Sequence, residues 1–295
     1  MSINNKSHKV EDFYNQEAKN WNQMYGGKYD YYPANQFRLK IIESRLKKLG
    51  IHKILDVGCG AGGPMIKLLQ KKFDCQGCDF ADEMVIEGKK ALKECGFNEE
   101  LISKGNIEDE FTLPEGKFDA ILALGVFPHL LEPKKSLTIM RKKLNKNGKV
   151  FISFRNDLFS LFTLNKYSND FFLKKILDIK PMSKKILNEI DSFYSNAFKI
   201  EKSSINKENK ILYTEIKADF DNPLTIQKNL FQPCGFVIDN LHFYHYHALP
   251  PIFEKTNKEE FWKLSMELEN PNDWRGHIMA SAFVVEASKI DDETN

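Results

Sequence analysis

The sequence has no long hydrophobic run. No stretch reaches the roughly 18 consecutive apolar residues that a membrane-spanning helix needs, and the first residues, MSINNKSHKVEDFY, lack the apolar centre of a signal peptide. The formal net charge is only +2 over 295 residues, so no concentrated basic face for nucleic acid is expected. These absences predict a soluble, cytoplasmic protein with neither a membrane nor a nucleic acid as its partner.

Cysteine is scarce, and its five positions follow no regular spacing: Cys59, Cys75, Cys78, Cys95 and Cys234. An odd number without a framework favours a reducing compartment over a disulfide scaffold. Cys75 and Cys78 have the C-x-x-C spacing of redox and zinc sites. They lie inside a segment that predicts a buried strand, and no second ligand pair accompanies them. We therefore expect no metal.

Glycine is concentrated in one turn. The segment KILDVGCGAGG, residues 53–63, begins as a short buried strand and continues into the four glycines of the turn, Gly58, Gly60, Gly62 and Gly63. From Pro64 the apolar residues recur at helical spacing. Strand, glycine turn and helix open a nucleotide-binding unit, in which glycine lets the backbone approach a ligand closely. Two alternatives are a dinucleotide site, whose G-x-G-x-x-G spacing differs, and a turn without a ligand.

A carboxylate follows the glycine turn at the distance that a ribose site requires. Residues 73–78 predict a second strand that ends at Asp79, about 20 residues after the turn. A carboxylate there can accept hydrogen bonds from both ribose hydroxyls. The plainer interpretation is that Asp79 caps the next helix, and both roles are compatible.

With two later segments, these motifs resemble those of class I S-adenosylmethionine (SAM)-dependent methyltransferases. LDVGCGAG resembles the first motif, LDxGCGxG, and DFADEM resembles D-x-S-x-x-M, with Ala81 in place of serine. LISKGNIE places Asn106 where many members have aspartate. FDAILALGVFPH resembles the fourth-strand motif, with His129 in register. The resemblance covers roughly residues 53–155 and implies SAM as cofactor and S-adenosylhomocysteine as product.

The resemblance also implies how the cofactor is held. Asp79 would bind the ribose, Phe80 and Met84 would pack on the adenine, and Asn106 would accept from the adenine amino group. The other predicted cofactor-binding residues are Tyr14, Arg38, Asp56, Gly58, Cys59, Gly60, Ile107 and Leu124. Arg38, near the start of a helix predicted over 34–49, could pair with the cofactor carboxylate or be an ordinary surface arginine.

The N-terminal segment predicts an amphipathic helix over residues 10–25, after a loose stretch at 1–10. Its aromatic residues resemble the FYxxxAxxW/Y segment that closes over the cofactor in many small-molecule methyltransferases. By that resemblance Tyr14 would reach the methionine carboxylate. The alternative is simple packing. Gly26–Gly27 would be a hinge, and the aromatic residues of the connector would line the pocket: Tyr29, Tyr31 and Tyr32.

The alternation of strands and helices over residues 53–155 predicts an α/β, Rossmann-like, doubly wound, mostly parallel sheet. The resemblance further implies that the sheet has seven strands in total and that the last strand is antiparallel. We divide the chain into an N-terminal lid (1–50), a SAM-binding core (51–155), a helical insertion after the fifth strand (156–210), the rest of the sheet (211–288) and a loose tail (289–295). We expect strands over 211–220, in CGFVIDNLHFYHYH and over 278–287. The insertion would be a substrate cap, or else an embellishment or dimerisation surface.

Histidines are the candidate catalytic bases, since a base is needed only where the methyl acceptor must lose a proton. His129 follows the fourth strand, at the sheet edge where open α/β folds bind ligands. His245 and His247 share one face of the sixth strand with Phe243, whereas His242 faces the opposite way. No acidic residue nearby completes a metal site around the pair.

The predicted function is SAM-dependent methyl transfer to a hydroxyl or amine of a small molecule, with sugars and sugar nucleotides among the candidates. The N/D-P-P-Y/F string of amino-group methylases is absent, and ALGV stands in its place at residues 123–126. The alternative is a non-enzymatic SAM-binding or Rossmann-like regulatory protein. A homodimer is left open.

Overall fold

A single seven-stranded sheet forms the centre of the computed structural model, which describes residues 3–25, 32–176, 183–197, 211 and 216–290. The strands are β1 (Lys53–Val57), β2 (Asp74–Asp79), β3 (Ile102–Lys104), β4 (Phe118–Ala123), β5 (Leu144–Arg155), β6 (Phe236–Tyr246) and β7 (Ala280–Lys289). Their order is β3-β2-β1-β4-β5-β7-β6, and only β7 runs antiparallel to its neighbours. The predicted fold class is confirmed.

Helices cover both faces of this sheet, which is why the central strands are apolar on both sides. The helices are α1 (Ile3–Trp21), α2 (Ala34–Lys48), α3 (Gly63–Gln70), α4 (Asp82–Glu94), α5 (Pro133–Lys143), α6 (Lys166–Phe171), α7 (Lys184–Ala197), α8 (Lys258–Glu267) and α9 (Gly276–Met279). Helices α2, α3 and α4 pack in one core cluster and α5 in the other, on opposite faces of the sheet. Within β1, Ile54 belongs to the first cluster and Leu55 to the second.

Helix α1 lies outside these two layers and packs along α4. It begins at Ile3, so the expectation of a loose stretch over residues 1–10 was wrong from residue 3 onward. A short 3-10 turn, Asn22–Tyr25, continues it. Gly26, Gly27, Tyr29 and Tyr31, the predicted hinge and part of the predicted pocket wall, lie outside the described residues.

The insertion after β5 is mostly helical in its described residues, 156–176 and 183–197. It contains a 3-10 turn (Asp157–Phe162), α6, a short π-helical segment (Phe172–Ile176) and α7. The strand expected over 211–220 was wrong for residues 211 and 216–220, which form no strand. Both edges of β5 are already paired, with β4 and β7, so this segment crosses the carboxyl edge of the sheet instead. The Asp219 and Asp221 amides donate to the Pro128 and Arg155 carbonyls, each at 2.9 Å.

The last two strands depart locally from the predicted alternation. His245 has a φ of +61°, an unusual conformation for a residue with a side chain. Tyr246 therefore joins Phe243 in one core cluster, whereas Tyr244 joins the other. β7 continues to Lys289, two residues beyond the predicted end, and residues 291–295 lie outside the description. Among the described residues, no helix combines the length and apolar character needed to cross a bilayer.

Candidate functional site

A cavity of about 550 Å³ opens at the carboxyl ends of β1, β2 and β4, under helix α1. This volume is typical of a site for a small ligand. Most of the residues predicted to form the site line the cavity: Tyr14, Arg38, Asp56, Gly58, Cys59, Gly60, Asp79, Phe80, Asn106, Ile107, Leu124 and His129. The glycine turn lies beside the end of β4, because β1 and β4 are neighbours in the sheet.

The glycine turn needs glycine at two positions for distinct reasons. Gly58 has a φ of +68°, and a Cβ atom there would lie 2.3 Å from a methyl carbon of Val126. Gly60 has a φ of +54°, and its Cβ would lie 2.8 Å from the indole nitrogen of Trp21. The turn is thus pressed between the loop after β4 and helix α1, and any larger residue would force one of them away.

Asp79 is fixed at the end of β2 by the same turn. Its two carboxylate oxygens accept from the Gly60 amide at 2.8 Å and the Ala81 amide at 3.0 Å. Burial raises the pKa of Asp79, while these two backbone hydrogen bonds act in the opposite direction. Each oxygen keeps a further lone pair for a ligand hydroxyl. The prediction that Asp79 caps the next helix was wrong, because the N-cap residue of α4 is Ala81 and no side chain caps this helix.

At the other end of the cavity, a buried acid and a buried base are incompletely paired. Within the described part of the chain, neither carboxylate oxygen of Asp56 has a hydrogen-bond partner. Burial raises the pKa of Asp56 to about 7, although Arg38 acts to lower it. Arg38 donates to the Tyr25 hydroxyl at 3.0 Å, and its Nε has no partner among the residues that the structure describes. An ammonium and a carboxylate on one ligand would satisfy both groups, as an amino-acid moiety does.

The predicted adenine side is formed by the loop after β3. The side-chain oxygen of Asn106 accepts from the Glu108 amide at 2.9 Å, which fixes its orientation and leaves one lone pair. Ile107 and Leu124 are buried in the cavity wall. Met84 does not line the cavity, in contrast to the prediction. It packs instead with Ala18, Ala61 and Ala81, beneath Trp21.

Helix α1 is held over the cavity by hydrogen bonds along its length. Asn15 accepts from the Glu83 amide at 3.0 Å, at the start of α4. Just beyond the helix, Asn22 donates to the Ala61 carbonyl at 2.7 Å. The hydroxyl of Tyr14 lies 2.9 Å from Nε2 of His129, and this contact holds the Tyr14 side chain beside the histidine.

The ring nitrogens of His129 have different partners. Nδ1 lies 2.5 Å from the carbonyl oxygen of Lys217, which can only accept, so Nδ1 carries the proton. Burial lowers the pKa of His129, while the Lys217 carbonyl acts to raise it. In the neutral ring Nε2 therefore carries an electron pair, and this pair accepts the hydrogen bond from the Tyr14 hydroxyl.

His245 and His247 lie away from the cavity, which departs from the prediction that they close the acceptor space. The strand that carries them is separated from β4 by β5 and β7. His245 stacks on Tyr32 with ring centroids 4.8 Å apart, so Tyr32 also lies outside the predicted pocket wall. His247 packs against Phe159 at 4.7 Å, and neither of its ring nitrogens has a partner among the described residues.

Two contributions to the site were missed from the sequence. The Lys217 carbonyl that contacts His129 is a backbone group and carries no sequence signal. Ile216, next to it, packs with Val10 and Phe13 of α1, and its position beside the cavity depends on the unpredicted path of 216–221. No described residue of the insertion at 156–210 lines the cavity, and its role as a substrate cap stays a prediction.

Comparison with known proteins agrees with this geometry. Residues 55–152 match a family described as a methyltransferase domain. The ubiquinone biosynthesis O-methyltransferase of Dictyostelium discoideum, a mitochondrial protein, is 27% identical over 175 residues, which cover 50% of this chain and 53% of that protein. The corresponding enzyme of Xanthomonas axonopodis pv. citri is 26% identical over 147 residues, covering 50% and 61%. The match thus spans only about half to three fifths of these curated relatives.

Among solved structures, the magnesium protoporphyrin IX methyltransferase of Synechocystis PCC 6803, crystallised with S-adenosylhomocysteine, superposes with a TM-score of 0.55. The alignment covers 95% of this chain and 98% of that one, at 16% identity. At this identity the likeness concerns the fold, which extends over nearly the whole chain.

Proposed function

From the premise that this chain is a class I SAM-dependent methyltransferase, we propose that it methylates a hydroxyl group of a small molecule. The observation that carries the choice of a hydroxyl is the neutral His129 at the cavity wall, with Nδ1 protonated and Nε2 able to accept a proton. An alcohol or phenol oxygen must lose its proton as it is methylated, whereas a neutral amine attacks through a free electron pair. The names of the two O-methyltransferase relatives favour the same choice.

The residues around the cavity fit the cofactor. Asp79 would bind the ribose, and Asp56 and Arg38 would bind the ammonium and carboxylate of the methionine part. When bound, SAM supplies an activated methyl group on a positively charged sulfur. The chain holds the acceptor oxygen in line with that methyl and excludes water. As the methyl carbon leaves the sulfur and bonds to the acceptor oxygen, His129 would take the hydroxyl proton on Nε2, where the acceptor hydroxyl would replace the hydroxyl of Tyr14.

Methyl transfer can be tested directly with SAM carrying an isotopic methyl label. The acceptor panel should include sugars, sugar nucleotides, phenols and, for comparison, amines. We expect label on an oxygen and stoichiometric S-adenosylhomocysteine. Label only on amines would contradict the hydroxyl assignment, and cofactor binding without transfer to any acceptor would favour the regulatory alternative.

The cofactor assignment has its own test in the affinity for S-adenosylhomocysteine, measured by titration calorimetry. Asp79→Ala should weaken binding by about 1.5–3 kcal/mol, because charge-assisted hydrogen bonds are lost. Asp82→Ala is the matched control, since Asp82 lies three residues further on, is exposed and pairs with Lys104 at 2.7 Å. Unchanged affinity in Asp79→Ala would remove this residue from the site.

A further inference from the structure

The segment 216–221 surrounds His129 on both sides. The Asp219 amide donates to the carbonyl of Pro128, one residue before the histidine, at 2.9 Å. The Lys217 ammonium donates to the carbonyl of Leu130, one residue after it, at 2.5 Å. Between these two bonds, the Lys217 carbonyl meets the imidazole itself. One short segment thus contacts the backbone on either side of the histidine and one nitrogen of its ring.

The Lys217 side chain keeps this arrangement in place. Besides the Leu130 carbonyl, its ammonium contacts the carboxylate of Asp219. The side chain is 23% exposed and so is partly shielded from water, which makes its hydrogen bonds stronger than those of a free surface lysine. Removing the ammonium would therefore loosen the carbonyl of the same residue from His129.

The tautomer of His129 decides whether it can act as a base toward the cavity. Only the form with the proton on Nδ1 leaves an electron pair on Nε2, and Nε2 is the nitrogen that faces Tyr14 and the cavity. In the other tautomer Nε2 would carry a proton and could not accept one. The hydrogen bond from Nδ1 to a carbonyl is the feature that selects between the two forms.

We propose that Lys217 is a positioning residue for His129. Its side chain anchors the segment 216–221, its carbonyl holds the proton on Nδ1, and Nε2 is thereby kept available for the acceptor's proton. The catalytic importance of this role rests on the proposed function. The tautomer of His129, however, can be measured in the protein without turnover.

The test is nitrogen NMR of ¹⁵N-histidine-labelled protein with S-adenosylhomocysteine bound, with the His129 signals assigned from a His129→Gln variant. We expect the wild type to show the Nδ1–H tautomer alone. Lys217→Met should show a mixture of tautomers, and Lys217→Arg, which keeps donors near the Leu130 carbonyl, should restore the single form. Lys175→Met is the control, because Lys175 makes a comparable 2.6 Å pair with Asp157 without touching His129.

Turnover provides a second measurement. Lys217→Met should lower kcat about tenfold or more while the affinity for S-adenosylhomocysteine stays unchanged, because the base is impaired and the cofactor site is not. A wild-type spectrum of the Nε2–H tautomer, or an unchanged tautomer and kcat in Lys217→Met, would overturn the positioning role. If Lys217→Met does not fold, the tautomer of His129 is measured in Lys217→Gln and compared with that of the wild type. Failure of the wild type to methylate any hydroxyl would instead contradict the proposed function.

Discussion

At the scale of single residues, Asp56 is the group whose charge should change most when the cofactor binds. Its pKa of about 7 leaves it partly protonated near neutral pH, because it is buried without a hydrogen-bond partner among the described residues. A ligand ammonium at hydrogen-bond distance would favour the ionised form and lower this pKa. Cofactor binding near pH 7 is therefore coupled to proton release at β1.

We predict that S-adenosylhomocysteine binding at pH 7 releases up to about half a proton, and that affinity falls as the pH drops below 7. The sign follows because Asp56 must lose its proton to pair with the ammonium. Titration calorimetry in two buffers of different ionisation enthalpy measures the release. Asp56→Asn should remove the buffer dependence, and the same dependence in the variant would locate the proton elsewhere.

A second residue-scale prediction concerns His129. His129→Ala should lower turnover by at least about 10² with near-normal S-adenosylhomocysteine affinity. In the wild type, kcat/KM should be constant at neutral pH and fall only below the usual histidine pKa of about 6.5, because burial lowers the pKa of this residue.

The exposed His52 supplies the comparison for this experiment, since His52→Ala should leave both the rate and the pH profile unchanged. A rate loss in His129→Ala that came entirely from weaker cofactor binding would contradict its role as a base.

At the scale of elements, helix α1 covers the cavity through separate polar contacts at Asn15, Tyr14 and Asn22. It also places Trp21 directly over the glycine turn. A bound cofactor beneath this helix can leave only if some of these contacts open. The rate of release should therefore depend on residues that do not touch the cofactor.

We predict that the Asn15→Ala/Asn22→Ala double variant increases the dissociation rate of S-adenosylhomocysteine by about fivefold or more, because two hydrogen bonds of about 1 kcal/mol each are lost. Stopped-flow fluorescence measures this rate, with Trp21 as a probe. Lys19→Ala, on the exposed side of the same helix, is the control. Equal rates in all three proteins would show that α1 only packs on the domain.

The strands and helices also show which parts of the fold could be predicted from the sequence. The first strands were predictable because β1 and β4 are buried on both faces, and because the glycine turn and Asp79 mark the ends of β1 and β2. The segment 211–220 alternates as a strand would, but no free sheet edge is available beside β5 to pair with it. The strict alternation along β6 failed for a related reason, since the left-handed residue His245 turns Tyr246 to the side of Phe243. The rings of His245 and His247 still lie together as predicted, with centroids 4.9 Å apart.

At the scale of the whole molecule, the partly buried His245 and His247 link stability to pH. Burial lowers the pKa of His245 to about 4 and that of His247 to about 3. The unfolded chain takes up protons on these residues near pH 6.5, whereas the folded protein does not. The unfolded state thus gains protons first as the pH falls, and stability is lost below about pH 6.5 by up to roughly 1.4 kcal/mol per pH unit for each histidine.

We predict that His247→Phe reduces this loss of stability in acid. At pH 7 the substitution should be neutral or stabilising, because it removes two ring nitrogens that have no partner in the described part of the chain, at a site beside Phe159 and Phe261. Denaturant unfolding at pH 5 and pH 7 measures the difference between variant and wild type. His52→Phe, at an exposed position, should keep the wild-type pH dependence of stability. The same change in pH dependence in both variants would contradict the assignment of the acid sensitivity to His247.

The contact of Val10 and Phe13 with Ile216 joins parts of the chain that are made at different times. Synthesis proceeds from the N-terminus, so helix α1 leaves the ribosome about 200 residues before the segment that completes its docking. Until then α1 can pack along α4, but Val10 and Phe13 lack the contact with Ile216 and stay open to a chaperone or a chance encounter. Proteolysis of stalled nascent chains that end before and after residue 216 would measure this interval. Helix α1, which is made early, thus reaches its full set of contacts only after the segment 216–221 has been made.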